Sequence, residues 1–184
     1  LSRGLGDVYK RQVQDIAALG KGIKARNSRT HFHVDAVQAW LRMPIDLQKW
    51  REVDSLSVSG HKVHAPKGVG ALFIRDSQRQ TLKPPYIGGH QERGLRPGTE
   101  NTPYIVGLGM AAALGQQKLR TRMTRIAELN AKLRAGLAAL PHVQQVSGLG
   151  LMVGIELADG IKAADVRAAC EKEGLLVLTA KTRL

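Results

Sequence analysis

The stretch Val53-Asp54-Ser55-Leu56-Ser57-Val58-Ser59-Gly60-His61-Lys62 decides how the rest of the chain is read. Residues Val53 to Val58 read as a strand, so a serine, a histidine and a lysine follow directly at a strand's end. A lysine becomes a nucleophile only when its ammonium loses a proton, which burial or a cationic neighbour brings about. The commonest use of such an amine is a Schiff base with a carbonyl. Lys62 has Lys67, His61 and His64 close by in sequence. Upstream, Thr30 to Val34 reads as a second short strand, with Asp35 at its end. In an open α/β sheet a carboxylate placed there faces the crevice outside the strand ends, where it can meet Lys62. A plainer reading makes Asp35 the N-cap of a short helix from Ala36 to Leu41, and Lys62 a solvated loop lysine. Spacing alone leaves both open.

Longer motifs add to this. His33-Val34-Asp35-Ala36-Val37-Gln38 comes first, followed by Ser59-Gly60-His61-Lys62-Val63-His64-Ala65-Pro66-Lys67-Gly68-Val69-Gly70-Ala71-Leu72-Phe73. Gly88-Gly89-His90-Gln91-Glu92-Arg93-Gly94-Leu95-Arg96-Pro97-Gly98-Thr99-Glu100-Asn101 comes third. In this order, over about Val13 to Leu140, they resemble the cysteine desulfurases, a branch of the class V aminotransferase group that uses pyridoxal 5′-phosphate (PLP). The resemblance implies that Lys62 carries the cofactor as an imine, that Asp35 pairs with the pyridine nitrogen and that Gln38 contacts the ring hydroxyl. It implies Ser59 and His61 as phosphate holders, with Thr99 reaching the phosphate of a partner subunit in a homodimer. It further implies L-cysteine as substrate and a sulfur-acceptor protein as partner, with iron–sulfur cluster assembly or thiolation downstream. No metal site is expected.

Each implied role has a physical basis. An anionic Asp35 keeps the pyridine nitrogen protonated, so the ring can act as an electron sink. Lys62, once displaced by the incoming amino acid, is placed to move the Cα proton. Ser59 and His61 offer hydroxyl and imidazole donors. Thr99-Glu100-Asn101-Thr102-Pro103 reads as a helix start with Pro103 in the first turn, and helix N-termini attract phosphate, to which Arg96 adds charge. Gly68, Gly70, Gly88 and Gly89 read as turn and loop punctuation without a binding role.

At 184 residues, 43% of them hydrophobic, the chain is long enough for one ordinary domain with a core. It contains no apolar run long enough to span a bilayer and no secretory-signal pattern, and its one cysteine precludes an internal disulfide, so the expected location is cytoplasmic. A net charge of +13 invites a nucleic-acid partner. However, the basic residues are scattered and aromatics make up only 4%. From Lys118 onward the basic residues alternate with Leu119, Met123, Ile126, Leu129, Leu133, Leu137 and Leu140, which recur at steps of three and four. A solvated basic helix face is therefore expected, and neither a nucleic acid nor a membrane partner.

The two ends read differently. Residues 1–12 lack periodicity and resemble a translated sequencing-adapter scar. Gly148 to Leu157, Ala163 to Glu173 and Gly174 to Thr182 read as strand, helix and strand, and resemble the C-terminal domain of acetylornithine aminotransferases. A junction between two genes is accordingly expected between Leu133 and Gly148. Cys170, within the helix, reads as a small core residue rather than a persulfide-forming nucleophile.

The expectation is an α/β chain: a partial fold-type I PLP-dependent transferase with an incomplete layered large domain and the start of a small α+β C-terminal domain. Its boundaries are residues 13–118 for the large domain, 119–147 for a connecting helix and linker, and 148–184 for a truncated small domain. Its function is that of a cysteine desulfurase fragment, inactive alone. The alternatives are an aminotransferase of the acetylornithine type and a non-catalytic basic module that binds phosphate or nucleic acid.

Overall fold

A computed structural model describes residues 13–79 and 82–179. The expected scar at residues 1–12 lies outside them, as do Ala180, Lys181 and Thr182. Two compact units are distinguished, one comprising Gln14–Met123 and the other the described residues from Thr124 onward.

The first unit opens with helix α1 (Ile16–Arg26). Asp15 caps it by accepting the Ala18 N–H at 3.0 Å, while Lys24 and Arg26 occupy the last turn, where cations complement the helix dipole. The strands are β1 (His33–Asp35), β2 (Ser55–Ser59) and β3 (Gly70–Ile74), in the order β1-β2-β3, with β1 parallel and β3 antiparallel to β2. Side chains alternate across the sheet. Val34, Ala36, Val53 and Leu56 form the buried core, and Phe32, Trp50, Val58 and Phe73 pack against it. On the other side the polar partners of β1 and β2 pair with one another. Ser55 Oγ lies 2.8 Å from both His31 Nε2 and His33 Nδ1, and His33 Nε2 lies 3.2 Å from Ser57 Oγ.

Two charged side chains tie this sheet to its connections. Asp54 is only 4% exposed; it accepts from Lys24 Nζ at 2.6 Å and from the Phe32 N–H at 2.7 Å. Lys24 also donates to the Thr30 carbonyl at 2.8 Å, so one ammonium joins helix end, loop and strand. At the end of β3, Arg75 donates to the carbonyls of Val53, Trp50 and Leu47 while its guanidinium sits 5.6 Å from the Phe73 ring centroid. Only a planar fork of donors serves several carbonyls and a ring at once.

The expected strands are present but shorter and shifted by one to three residues, because ladder pairing rather than composition sets their ends. The short helix from Ala36 to Leu41 is absent. That segment forms consecutive turns, with Ala39 and Trp40 donating to the Ala36 carbonyl and Leu41 left-handed at φ 58°. After β3 come helix α2 (Asp76–Arg79) and a 3₁₀ turn at Gln91–Gly94 in which Glu92 and Arg93 are left-handed. Helix α3 (Thr102–Ala138) begins where the sequence placed it, with Pro103 in its first turn and Asn101 Oδ1 accepting from the Tyr104 N–H. Leu108, Gly115 and Leu119 form its buried stripe, and Gly115 admits Leu41 so closely that a Cβ would stand 2.7 Å from Leu41 Cδ1.

In the second unit, β4 (Val143–Leu149) and β5 (Met152–Leu157) form an antiparallel hairpin, followed by α4 (Ala163–Lys172). The two-residue turn is Gly150-Leu151, with Gly150 at φ 65°, a conformation that suits glycine at the first turn position. The basic face of α3 is not wholly solvated. Arg134 donates to the carbonyls of Gly148 and Val146, at 2.8 and 3.1 Å, and Asn130 to that of Gly150 at 2.6 Å. The apolar positions are unequal too: Leu119 is buried and Ile126 and Leu137 are half-buried, whereas Met123, Leu129, Leu133 and Leu140 are exposed. The final expected strand is not formed over Gly174–Thr179. Among the described residues no strand pairs with it, and Leu176 and Leu178 stand exposed. Cys170 is half-buried rather than a core residue, and no residue of α4 is buried.

Candidate active site

Because β1 and β2 are parallel neighbours, their carboxyl ends open on the same edge of the sheet, where α/β proteins place ligands. Asp35 is the last residue of β1, and Ser59 the last of β2. Asp35 is exposed, pairs in register with Ser57, and accepts the Val37 N–H on Oδ1 at 3.0 Å. This bond turns the chain sharply after the strand, so Asp35 does act locally as a turn residue while its carboxylate stays at the sheet edge.

Past β2 the chain enters the 3₁₀ turn Gly60–Lys62. Gly60 is needed there: a Cβ would stand 2.9 Å from both the Val69 carbonyl oxygen and Val69 Cγ1. The Gly60 N–H donates to that same carbonyl, which seats the turn on the chain entering β3. Ser59 Oγ and His61 Nδ1 lie 2.8 Å apart, and Lys62 is half-buried.

Gln38 and Lys62 are joined by a residue that the sequence reading missed. Arg42 Nη2 donates to the Lys62 carbonyl at 2.8 Å, and Arg42 Nη1 to the Gln38 side-chain Oε1 at 3.2 Å and its carbonyl at 3.3 Å. A guanidinium has no acceptor, so Gln38 must turn its oxygen toward it and leave Nε2 as an outward donor. Arg42 has no local sequence signal, because the left-handed Leu41 that redirects the chain is not a glycine.

The fold thus brings Asp35, Gln38, Ser59, His61 and Lys62 to one sheet edge. Thr99 is exposed on the loop before α3, and among the described residues no hydrogen bond joins it to the other five. Arg96 turns back on its own loop, donating to the carbonyls of Pro97 and Gly98. Gly68, at φ 88°, is a turn residue before β3, as its spacing suggested. Among the described residues no group of three His, Cys, Asp or Glu could hold a metal ion.

A lysine, an aspartate and hydroxyl and imidazole groups at the ends of parallel strands could hold a phosphorylated, carbonyl-bearing ligand. The comparisons specify the family. The sequence matches aminotransferase class-V over residues 11–180, and the chain belongs to that family, whose members are PLP-dependent enzymes. It is 52% identical over 125 residues to a cysteine desulfurase of Gluconacetobacter diazotrophicus, covering 68% of this chain and 29% of that protein. With a cysteine desulfurase of Nostoc sp. it shares 48% identity over 136 residues, covering 74% and 33%. The fold is similar to that of a NifS-like protein of known structure, with a TM-score of 0.76 at 34% identity over 91% of this chain and 46% of that one. The chain therefore spans about a third of the curated relatives it matches, and its fold is part of that of the fold-type I PLP enzymes.

The residues present fit the cofactor chemically. They include a primary amine on Lys62, an exposed carboxylate on Asp35, a side-chain amide on Gln38, and a hydroxyl and an imidazole on Ser59 and His61, the kinds of group such a cofactor needs.

Proposed function

We propose that the chain supplies the lysine-bearing side of the PLP site of a cysteine desulfurase. The observation that carries this reading is the seating of Asp35 and the Gly60–Lys62 turn at the carboxyl ends of two hydrogen-bonded parallel strands. When bound, the cofactor supplies an electron sink for negative charge developing at the substrate's Cα. Lys62 Nζ would hold it, and as a free amine would take and return the substrate's Cα proton. Asp35 holds the proton on the pyridine nitrogen. Gln38 donates from Nε2 to the ring oxygen, while Ser59 and His61 orient the phosphate, to which Thr99 of a second subunit adds a donor in a homodimer. The whole protein takes sulfur from L-cysteine, releases alanine and passes a persulfide to a sulfur-acceptor protein, in the cytoplasm. Residues 13–118 belong to its large domain, 119–147 to the connection and 148–184 to its small domain.

This chain alone is proposed to be inactive. Sulfur transfer needs an accessible thiolate, and Cys170 is a half-buried residue of α4 rather than a thiol on a mobile loop. Titration with PLP separates the PLP-enzyme readings from the basic module. The expected result is a yellow, saturable complex that is lost in Lys62→Ala and releases no alanine from L-cysteine above free PLP. Colourless protein that binds oligonucleotides with a steep salt dependence would establish the basic module instead. Alanine release abolished by Cys170→Ser would overturn the claim of inactivity.

A further inference from the structure

We propose that Arg42 is a positioning residue of this site: it fixes the Gln38 amide as a donor and clamps the Lys62 turn to the segment that follows β1. The proposal rests on the reading that Gln38 and Lys62 face PLP. Three observations meet at this side chain. Its two terminal nitrogens are divided between two segments: Nη2 serves the Lys62 carbonyl at 2.8 Å, and Nη1 serves Gln38 through both Oε1 and its backbone oxygen. Leu41 places it there, since its left-handed φ of 58° reverses the chain so that Arg42 points back toward Gln38. That costly conformation is held in place, because Leu41 is buried against the bare backbone of Gly115 on α3.

The chemistry follows from the donor inventory. A glutamine amide can present either its oxygen or its NH₂ group to a ligand, and the two are nearly equal in shape. A developing negative charge on a ring oxygen is stabilised by the NH₂ group and repelled by the oxygen. Arg42, having no acceptor, selects the productive orientation before the ligand arrives. Its second arm sets the position of the Lys62 carbonyl, and with it the base of the lysine side chain. A lysine at position 42 brings a point charge in place of a fork and cannot span both partners with the same geometry.

The test uses the full chain with Arg42→Ala, Arg42→Lys and Gln38→Ala. In isotope-labelled protein without cofactor, Arg42→Ala is expected to move the Gln38 side-chain amide resonances and the backbone amide of Val63, which adjoins the Lys62 carbonyl. Arg42→Lys should restore one of these and not both. With PLP added, Arg42→Ala should weaken binding by about three- to tenfold, the scale of an exposed charge-assisted hydrogen bond. It should also change the absorption spectrum of the bound cofactor, and that change should be smaller in a Gln38→Ala background, because only one of the two arms acts through Gln38. Unmoved Gln38 and Val63 resonances, or a spectral change of equal size in both backgrounds, would overturn the proposal. Failure of the parent chain to take up PLP would instead contradict the reading of the site, and the amide resonances would still decide whether Arg42 is seated as described.

Discussion

Asp54 is the residue whose ionisation the fold uses most plainly. Burial acts to raise its pKa, yet the Lys24 ammonium, the Phe32 N–H and the positive charges of Lys24 and His31 together hold it below the usual carboxylate value. A group with a depressed folded pKa stabilises the protein above its unfolded value of about 3.9 and loses that contribution as pH falls through the lower folded value. Denaturant melts are therefore expected to show no Asp54-dependent change between neutral and mildly acidic pH, and a decline below about pH 4. Asp54→Asn should cost about 2–4 kcal/mol at neutral pH, by leaving Lys24 partly buried without its anion, and should remove that share of the acid sensitivity. Equal stability of the variant at neutral pH would contradict the role given to the pair. Asp35 was read from the sequence either as a crevice residue or as the N-cap of a short helix; the helix does not form, and one carboxylate oxygen instead makes a turn at the end of β1.

Among the elements, those built on repetition were legible and those built on tertiary contact were not. The start of α3 and both ends of α4 were foreseen to within about three residues, because capping and apolar spacing are local signals. The turn at Ala36–Leu41 was misread as a possible helix. Its left-handed Leu41 is stabilised by Gly115, more than seventy positions away, a contact that no local pattern announces. The strand expected after Gly174 had the right composition but lacks a described partner, and composition alone does not make a strand. At α1 the decisive contact is again remote. Gly20 is buried, and a Cβ there would stand 2.8 Å from Glu52 Cβ and 3.2 Å from the Phe32 ring. Glu52 Cβ is fixed to the backbone and cannot rotate away. Gly20→Ala gains about 1 kcal/mol of helix propensity but costs about 2–3 kcal/mol in overpacking. The variant should be less stable in thermal unfolding, whereas Gly22→Ala, with nothing within 4 Å of its Cβ, should be more stable. A stabilised Gly20→Ala would show that α1 is not packed on Glu52 as described.

For the whole molecule, the central claim is that a lysine at the end of one parallel strand and a carboxylate at the end of its neighbour form the two poles of a PLP site. The sequence carried most of this claim in its motifs, which lie on contiguous residues and survive without knowledge of the fold. It could not show that Arg42 bridges Gln38 and Lys62, since that contact depends on where the turn after β1 leads the chain. Nor could the motifs bring Thr99 to the other site residues: it remains on the loop before α3, and the role proposed for it lies in a second subunit. The most direct measurement is borohydride reduction of the chain saturated with PLP, followed by peptide mapping of the covalently attached phosphopyridoxyl group. Attachment at Lys62, abolished in Lys62→Ala, is the expected result; attachment at Lys67, or an undiminished yield in Lys62→Ala, would contradict the account.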